Sequence, residues 1–153
     1  MIDIKEIAAK SLAKETRDGR IKLEVVNVDT GRTLCFENYS TLWLTRYYFG
    51  GIITDPENQL AHQFFVVLQG QYLEKGEFII APGTSHTAEH FDASIPLYDR
   101  NGTGKLIVTA LENSPNPERP PTYLKATTEL LLSSQTERFR AFAEIEFGTP
   151  AHQ

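Results

Sequence analysis

The chain has a single cysteine, Cys35. That count rules out an internal disulfide and a zinc site built from several thiolates, and folding needs no oxidising compartment. Long apolar runs are missing too: they stop at about six residues, far short of the roughly 18 that a membrane-spanning helix needs. No charged N-terminal segment leads into an apolar stretch and a cleavage site, so the expectation is a chain without a signal peptide, cytoplasmic when made. No block of five like charges occurs, and the formal net charge is -5. A basic face for nucleic acid is therefore not expected. Nor is there a repeat at the periods of about 20 to 50 residues that mark solenoids and propellers.

What the sequence does contain is period-two patterning. At 153 residues it has one domain's length, and nearly all of it after Gly19 reads as strand. Ile21, Leu23 and Val25 alternate with Lys22 and Glu24, and Asp29-Thr30-Gly31-Arg32 turns the chain into a second strand beginning at Thr33. Leu42 to Phe49 is apolar and closed by Gly50-Gly51; Asp55-Pro56-Glu57-Asn58 makes another turn. The run Phe64 to Leu68 is apolar on both faces and reads as an interior strand. Further strands are expected over 77–81, 87–95, 105–111, 122–132 and 136–147, with the proline-rich stretch 113–121 as a long loop. The last is the most regular: Phe139, Ala141, Ala143, Ile145 and Phe147 alternate with charged residues, and Phe142 alone interrupts the polar face. The opening segment differs. Ile4, Ile7, Ala8, Ser11 and Leu12 recur at helical spacing, which predicts an amphipathic helix over 3–16 that must dock to be stable. The predicted fold is thus mainly β, a single antiparallel β-sandwich over 1–153 with one N-terminal helix.

Chemistry-bearing groups are sparse. His86 and His90 flank a polar stretch, but extended chain would hold them about 13 Å apart, too far to share an ion without His62 or a remote carboxylate. The Pro82-Gly83 turn followed by His and Glu resembles cupins, without their His-x-His spacing, so His62, His86 and His90 stand as metal candidates under a cupin-like enzyme alternative. Cys35, between Leu34 and Phe36, reads as a small packed thiol. There is no Gly-x-Ser-x-Gly elbow, and Gly102-Thr103-Gly104-Lys105 lacks the spacing of a phosphate loop. Glu144 and Glu146 share a strand face with Arg138 and Arg140, which suggests cross-strand pairing or a solvated face rather than acid–base work. No cofactor is implied, and no catalytic residue stands out. The densest feature is aromatic: Tyr39, Trp43, Tyr47, Tyr48 and Phe49, with Arg46 among them. Amphipathic rings beside an arginine suit a lipid headgroup or a sugar, so Trp43, Arg46, Tyr47 and Tyr48 are the candidate contact residues.

The strand-turn-strand phrase Ile21-Lys22-Leu23-Glu24-Val25-Val26-Asn27-Val28-Asp29-Thr30-Gly31-Arg32-Thr33-Leu34 resembles the opening of aegerolysin and actinoporin-like sandwiches. So do Pro82-Gly83, Phe91-Asp92-Ala93 and Gly102-Thr103-Gly104-Lys105-Leu106-Ile107-Val108 in their central strand. The resemblance implies a non-enzymatic, membrane-lipid-binding, pore-forming protein of cytolysin type, one component of a binary toxin in some relatives and released to act on target membranes. It makes Ile4, Ile7, Ala8 and Leu12 the apolar side of a membrane-inserting helix. The expected partners are a lipid headgroup or glycan, a larger protein, or further copies of the chain. The alternative is a soluble carbohydrate- or partner-binding module, lectin-like or an assembly subunit.

Overall fold

The computed structural model describes residues 19–57, 59–82, 84, 86–92, 97–99, 102–133 and 136–151. The predicted helix over 3–16, with Ile4, Ile7, Ala8 and Leu12, lies outside the described residues. Among the described residues there are eleven strands: β1 (Gly19–Asn27), β2 (Thr33–Phe36), β3 (Thr41–Leu44), β4 (Tyr48–Thr54), β5 (Leu60–Leu68), β6 (Gly76–Ile80), β7 (His86–Asp92), β8 (Leu97–Asp99), β9 (Thr103–Glu112), β10 (Tyr123–Ser133) and β11 (Arg138–Gly148). They form a six-stranded sheet in the order β2-β1-β11-β10-β9-β6 and a five-stranded sheet in the order β3-β4-β5-β7-β8. Every pairing is antiparallel. The mainly β, sandwich-like architecture expected from the period-two pattern is what the chain adopts.

Local chemistry explains the connections. In the β1–β2 turn, the Asn27 Oδ1 accepts from the backbone N–H of Asp29 and of Thr30 at 2.9 and 3.0 Å. Gly31 takes a φ of 74°, open to glycine and strained for other residues. The Asp55 carboxylate organises the next turn by accepting from Glu57 N and Gln59 N. Gly50 and Gly51, expected to end a strand, instead sit inside β4 and are buried. A Cβ at Gly50 would run into the Phe64 carbonyl oxygen and the Phe65 ring, and one at Gly51 into Tyr39 and Leu42. These glycines allow close strand approach rather than a turn.

The core lies between the sheets. Ile21, Leu23 and Val25 of β1, Leu124, Ala126 and Leu130 of β10, and Phe139 to Phe147 of β11 meet Leu42, Leu44, Phe49, Phe64, Val66 and Leu68 from the other sheet. The alternation read in β11 is observed, buried and exposed residues changing places from Arg138 to Glu144. Cys35 departs from expectation. It is exposed, because β2 is a four-residue edge strand that turns Phe36 toward the core and Cys35 away from it.

The five-stranded sheet is buried on its outer side as well. Trp43, Tyr48, Phe65 and Val67, with Ile52 beside them, form a second apolar cluster distinct from the core. Their neighbours along each strand, Leu42, Leu44, Phe49, Phe64 and Val66, belong to the central core, so the two sets occupy opposite faces.

Candidate binding surface

The outer face of the six-stranded sheet is where chemistry meets solvent. Strand alternation turns Lys105 of β9, Glu129 and Leu131 of β10, Arg140 and Phe142 of β11, and Ile79 of β6 outward. Register brings them together: Ile79 opposes Lys105, Lys105 opposes Glu129, Glu129 opposes Phe142 and Leu131 opposes Arg140. Ile79 is 62% exposed, Leu131 54% and Phe142 44%, three large apolar side chains in water on one face, which is a local excess rather than scattered exposure. A groove of about 330 Å³ runs between Ile79 and Leu131, walled also by Lys105, Glu129 and Arg140. The Lys105 ammonium is 3.8 Å from the Glu77 carboxylate, both exposed, a pairing that contributes little in water.

A second groove of about 530 Å³ lies farther along the same face, with Arg20, Thr109, Lys125, Thr127, Glu144 and Glu146 on its walls. It lies at a register shift between Lys125 and Ala126, which leaves Thr109 as an extra residue on β9. The Thr109 hydroxyl donates to the Lys125 carbonyl at 3.1 Å, pinning the irregularity. At the rim, the Tyr123 hydroxyl donates to the Glu146 carboxylate at 2.8 Å, and that bond raises the Tyr123 pKa. The face therefore carries both signs of charge interleaved with exposed apolar side chains.

The residues picked out as lipid or ligand contacts are arranged differently. Trp43 and Tyr48 are buried in the outer cluster of the five-stranded sheet, Trp43 with its ring 5.6 Å from that of Phe65. Arg46 sits in the β3–β4 turn, and its guanidinium donates to the carbonyls of Arg119, Ser114 and Asn116 at 2.8 to 3.0 Å, tying down the proline-rich loop. Tyr47 alone of the four is exposed, edge-on to Tyr48. Aromatic clustering in sequence located a strand pair with its turn, and the turn split the exposed ring from the buried ones.

Of the three histidines, the structure brings two together. His62 and His90 are buried on the inner side of β5 and β7, ring centroids 5.0 Å apart. The β5–β7 register makes them diagonal neighbours, His62 opposite Asp92 and His90 opposite Phe64. His62 stacks on Phe36 at 3.9 Å with planes 1° apart, and its Nε2 is 2.9 Å from the Tyr39 hydroxyl. His86 is in the same strand as His90, as extended chain, but hydrogen-bonds Gln71 and the Ile79 carbonyl instead. Among the described residues no group of three or more His, Cys, Asp or Glu side chains gathers in metal-binding geometry. Another polar pair went unforeseen: the Gln63 amide donates to the Glu89 carboxylate at 2.9 Å, both buried on the outer side of the five-stranded sheet.

Burial, and then the neighbouring Cys35 thiol, push the Tyr39 pKa well above its ordinary value. A folded pKa above the unfolded one stabilises fully at low pH and is lost as pH rises, because the unfolded chain releases a proton the native phenol keeps. Above pH ~10 the wild type should therefore lose about 1.4 kcal/mol more per pH unit than Tyr39→Phe. Urea midpoints on either side of that pH measure this; parallel slopes for the two proteins would contradict it.

Fold and face together define a two-sheet, mainly antiparallel β protein with an amphipathic outer surface. No family model, no curated protein and no solved structure matches it.

Proposed function

We propose that this protein is a non-catalytic recognition module, an assembly subunit that binds another protein chain through the outer face of its six-stranded sheet. The observation that carries the reading is the exposure of Ile79 and Leu131 at a groove shared with Lys105, Glu129 and Arg140, with Phe142 exposed beside it on the same face. The occupant that best fits this face is a second copy of the chain. A two-fold contact sets a patch against itself, and a patch in which Lys105 and Arg140 adjoin Glu77 and Glu129 offers each charge an opposite partner. Area agrees. Strands of 4, 9, 11, 11, 10 and 5 residues, at about 3.3 Å per residue and about 4.8 Å apart, give roughly 800 Å², close to the ~800 Å² per partner of a stable interface.

A lipid-binding, pore-forming action, which the resemblance to aegerolysins and actinoporins implies, would draw on Trp43, Arg46, Tyr47 and Tyr48. Trp43 and Tyr48 are buried and Arg46 is engaged with backbone carbonyls, so this reading ranks second.

Sedimentation velocity over a concentration series tests the choice. The wild type is expected to form a dimer that Leu131→Glu weakens at least tenfold, by placing a carboxylate where an apolar contact was. A wild type that stays monomeric throughout, or a dimer untouched by the substitution, overturns the proposal. Liposome flotation of the same samples provides the contrasting readout, and flotation by the monomeric variant would move the second reading to first.

A further inference from the structure

The three apolar side chains exposed on the six-stranded sheet are not equivalent. Ile79 and Leu131 line the groove, and Phe142 does not. Phe142 stands beside it: on the outer face it opposes Glu129 of β10, which in turn opposes Lys105 of β9. With strands about 4.8 Å apart, β11 lies about 10 Å from β9. One large side chain therefore projects next to a hollow flanked by two others. The hollow stays open because Gly104, which also lines it, brings no side chain and can accept none: an added Cβ would run into the Glu129 carbonyl oxygen. Its volume of about 330 Å³ exceeds the ~150 Å³ that suffices for a benzene ring.

We infer that Phe142 of each copy seats in the partner's groove between Ile79 and Leu131, so that the interface holds two equivalent contacts of ring and groove. This rests on the self-association proposed above and adds which side chains meet. The first ground is symmetry. A two-fold contact sets this face against itself, with residue i touching j and j touching i, so whatever fills the groove comes from the same face. On the described strands of this sheet the exposed large apolar side chains are Ile79, Leu131 and Phe142. Two of them are the walls, which leaves Phe142 as the occupant.

The second ground is the chemistry of the walls. Lys105 and Arg140 put cations beside the hollow, and an aromatic ring offers its electron-rich face to a cation where an aliphatic chain offers none. The third is charge across the axis. Seating Phe142 twice lays the two-fold axis over the residues between Phe142 and the groove. Glu129, opposite Phe142, and Arg140, opposite Leu131, occupy that line as diagonal neighbours. Each Glu129 then lies near its own copy, and the Arg140 side chains of both chains offset that repulsion.

Complementation separates this arrangement from other uses of the same face. Phe142→Ala keeps the groove and loses the ring; Leu131→Glu keeps the ring and spoils the groove. By sedimentation velocity each variant alone is expected to dimerise about tenfold more weakly than wild type, or worse. In an equimolar mixture one contact is whole, Phe142 of the Leu131→Glu chain in the groove of the Phe142→Ala chain. Association there is expected to be several-fold tighter than in either variant alone. A mixture no tighter than its components overturns the inference, and is what Phe142 stacked on its own copy would give. A Phe142→Ala dimer as tight as wild type overturns it too; if Leu131→Glu still weakens the dimer, self-association through this face stands and the seating of Phe142 falls. A wild type that is monomeric at every concentration removes both. Should Leu131→Glu lose its far-ultraviolet strand spectrum, Ile79→Glu takes its place as the groove variant, with the same outcomes.

Discussion

Replacing Gly50 by alanine is expected to destabilise the fold by about 3 kcal/mol, at the upper end of what overpacking costs. In register, Gly50 sits between Trp43 and Phe65, with Trp43 opposite it on β3 and Phe65 on β5. An added Cβ would lie 2.5 Å from the Phe65 ring and closer still to the Phe64 carbonyl oxygen. The ring has a rotamer to give; the carbonyl is part of the β4–β5 ladder and does not. Relief would have to come from moving β4 off β5, which breaks ladder hydrogen bonds and loosens the Trp43–Phe65 contact together. Domains of this size are held by roughly 5–15 kcal/mol, so a loss of that order lowers the urea midpoint steeply. A Gly50→Ala protein with a midpoint within experimental error of wild type would mean that the two strands do not approach as described.

The second large effect is expected at Phe65. Truncation to alanine should cost about 3–5 kcal/mol, as for a phenylalanine in a closed core, although Phe65 faces away from the space between the sheets. On a solvated sheet face the same change would cost less than about 0.5 kcal/mol. The comparison with Phe64→Ala, its neighbour on the inner face, makes the measurement internal. Both phenylalanines are 0% exposed, and similar losses in the two variants are the expected outcome. A near-neutral Phe65→Ala beside a destabilised Phe64→Ala would show the outer cluster to be open to water, and would remove the ground for any element packed over it.

How much of this was legible in the sequence differs from element to element. The β1–β2 hairpin was legible because its turn is specified locally: Asn27 and Gly31 do chemistry within four residues of one another. β11 was legible because one face is core and the other solvent, so burial and polarity alternate together. β5 showed its double-sided burial as an unbroken apolar run, but the run does not say what stands on each side. The glycines of β4 were misread since a glycine that permits a turn and one that permits close approach look the same without the partner strand. Packing of Cys35 was expected from its apolar neighbours, whereas its exposure follows from the position of β2 at a sheet edge, which only strand order decides.

The candidate site was less legible than the fold. Ile79, Leu131 and Phe142 come from three strands, and only the register β6–β9–β10–β11 brings them to one face. Phe142 as the single break in a polar face was the one signal available in sequence. His62 and His90 were both singled out, but their meeting depends on the antiparallel pairing of β5 with β7, and His86, closer in sequence to His90, is turned to Gln71. Trp43, Arg46, Tyr47 and Tyr48 were grouped by chain proximity, while the turn between β3 and β4 distributes them over a buried cluster, a loop tether and the surface.

The central claim is that the outer face of the six-stranded sheet is the surface on which this protein meets its partner. Hydroxyl-radical footprinting of the wild type at low and high protein concentration tests it residue by residue. The account predicts that Ile79, Leu131 and Phe142 become protected together as concentration rises, while Tyr47 and Tyr72, exposed elsewhere, react alike at both. Protection at Tyr47 or Tyr72 with Leu131 and Phe142 unchanged would place the contact elsewhere and contradict it.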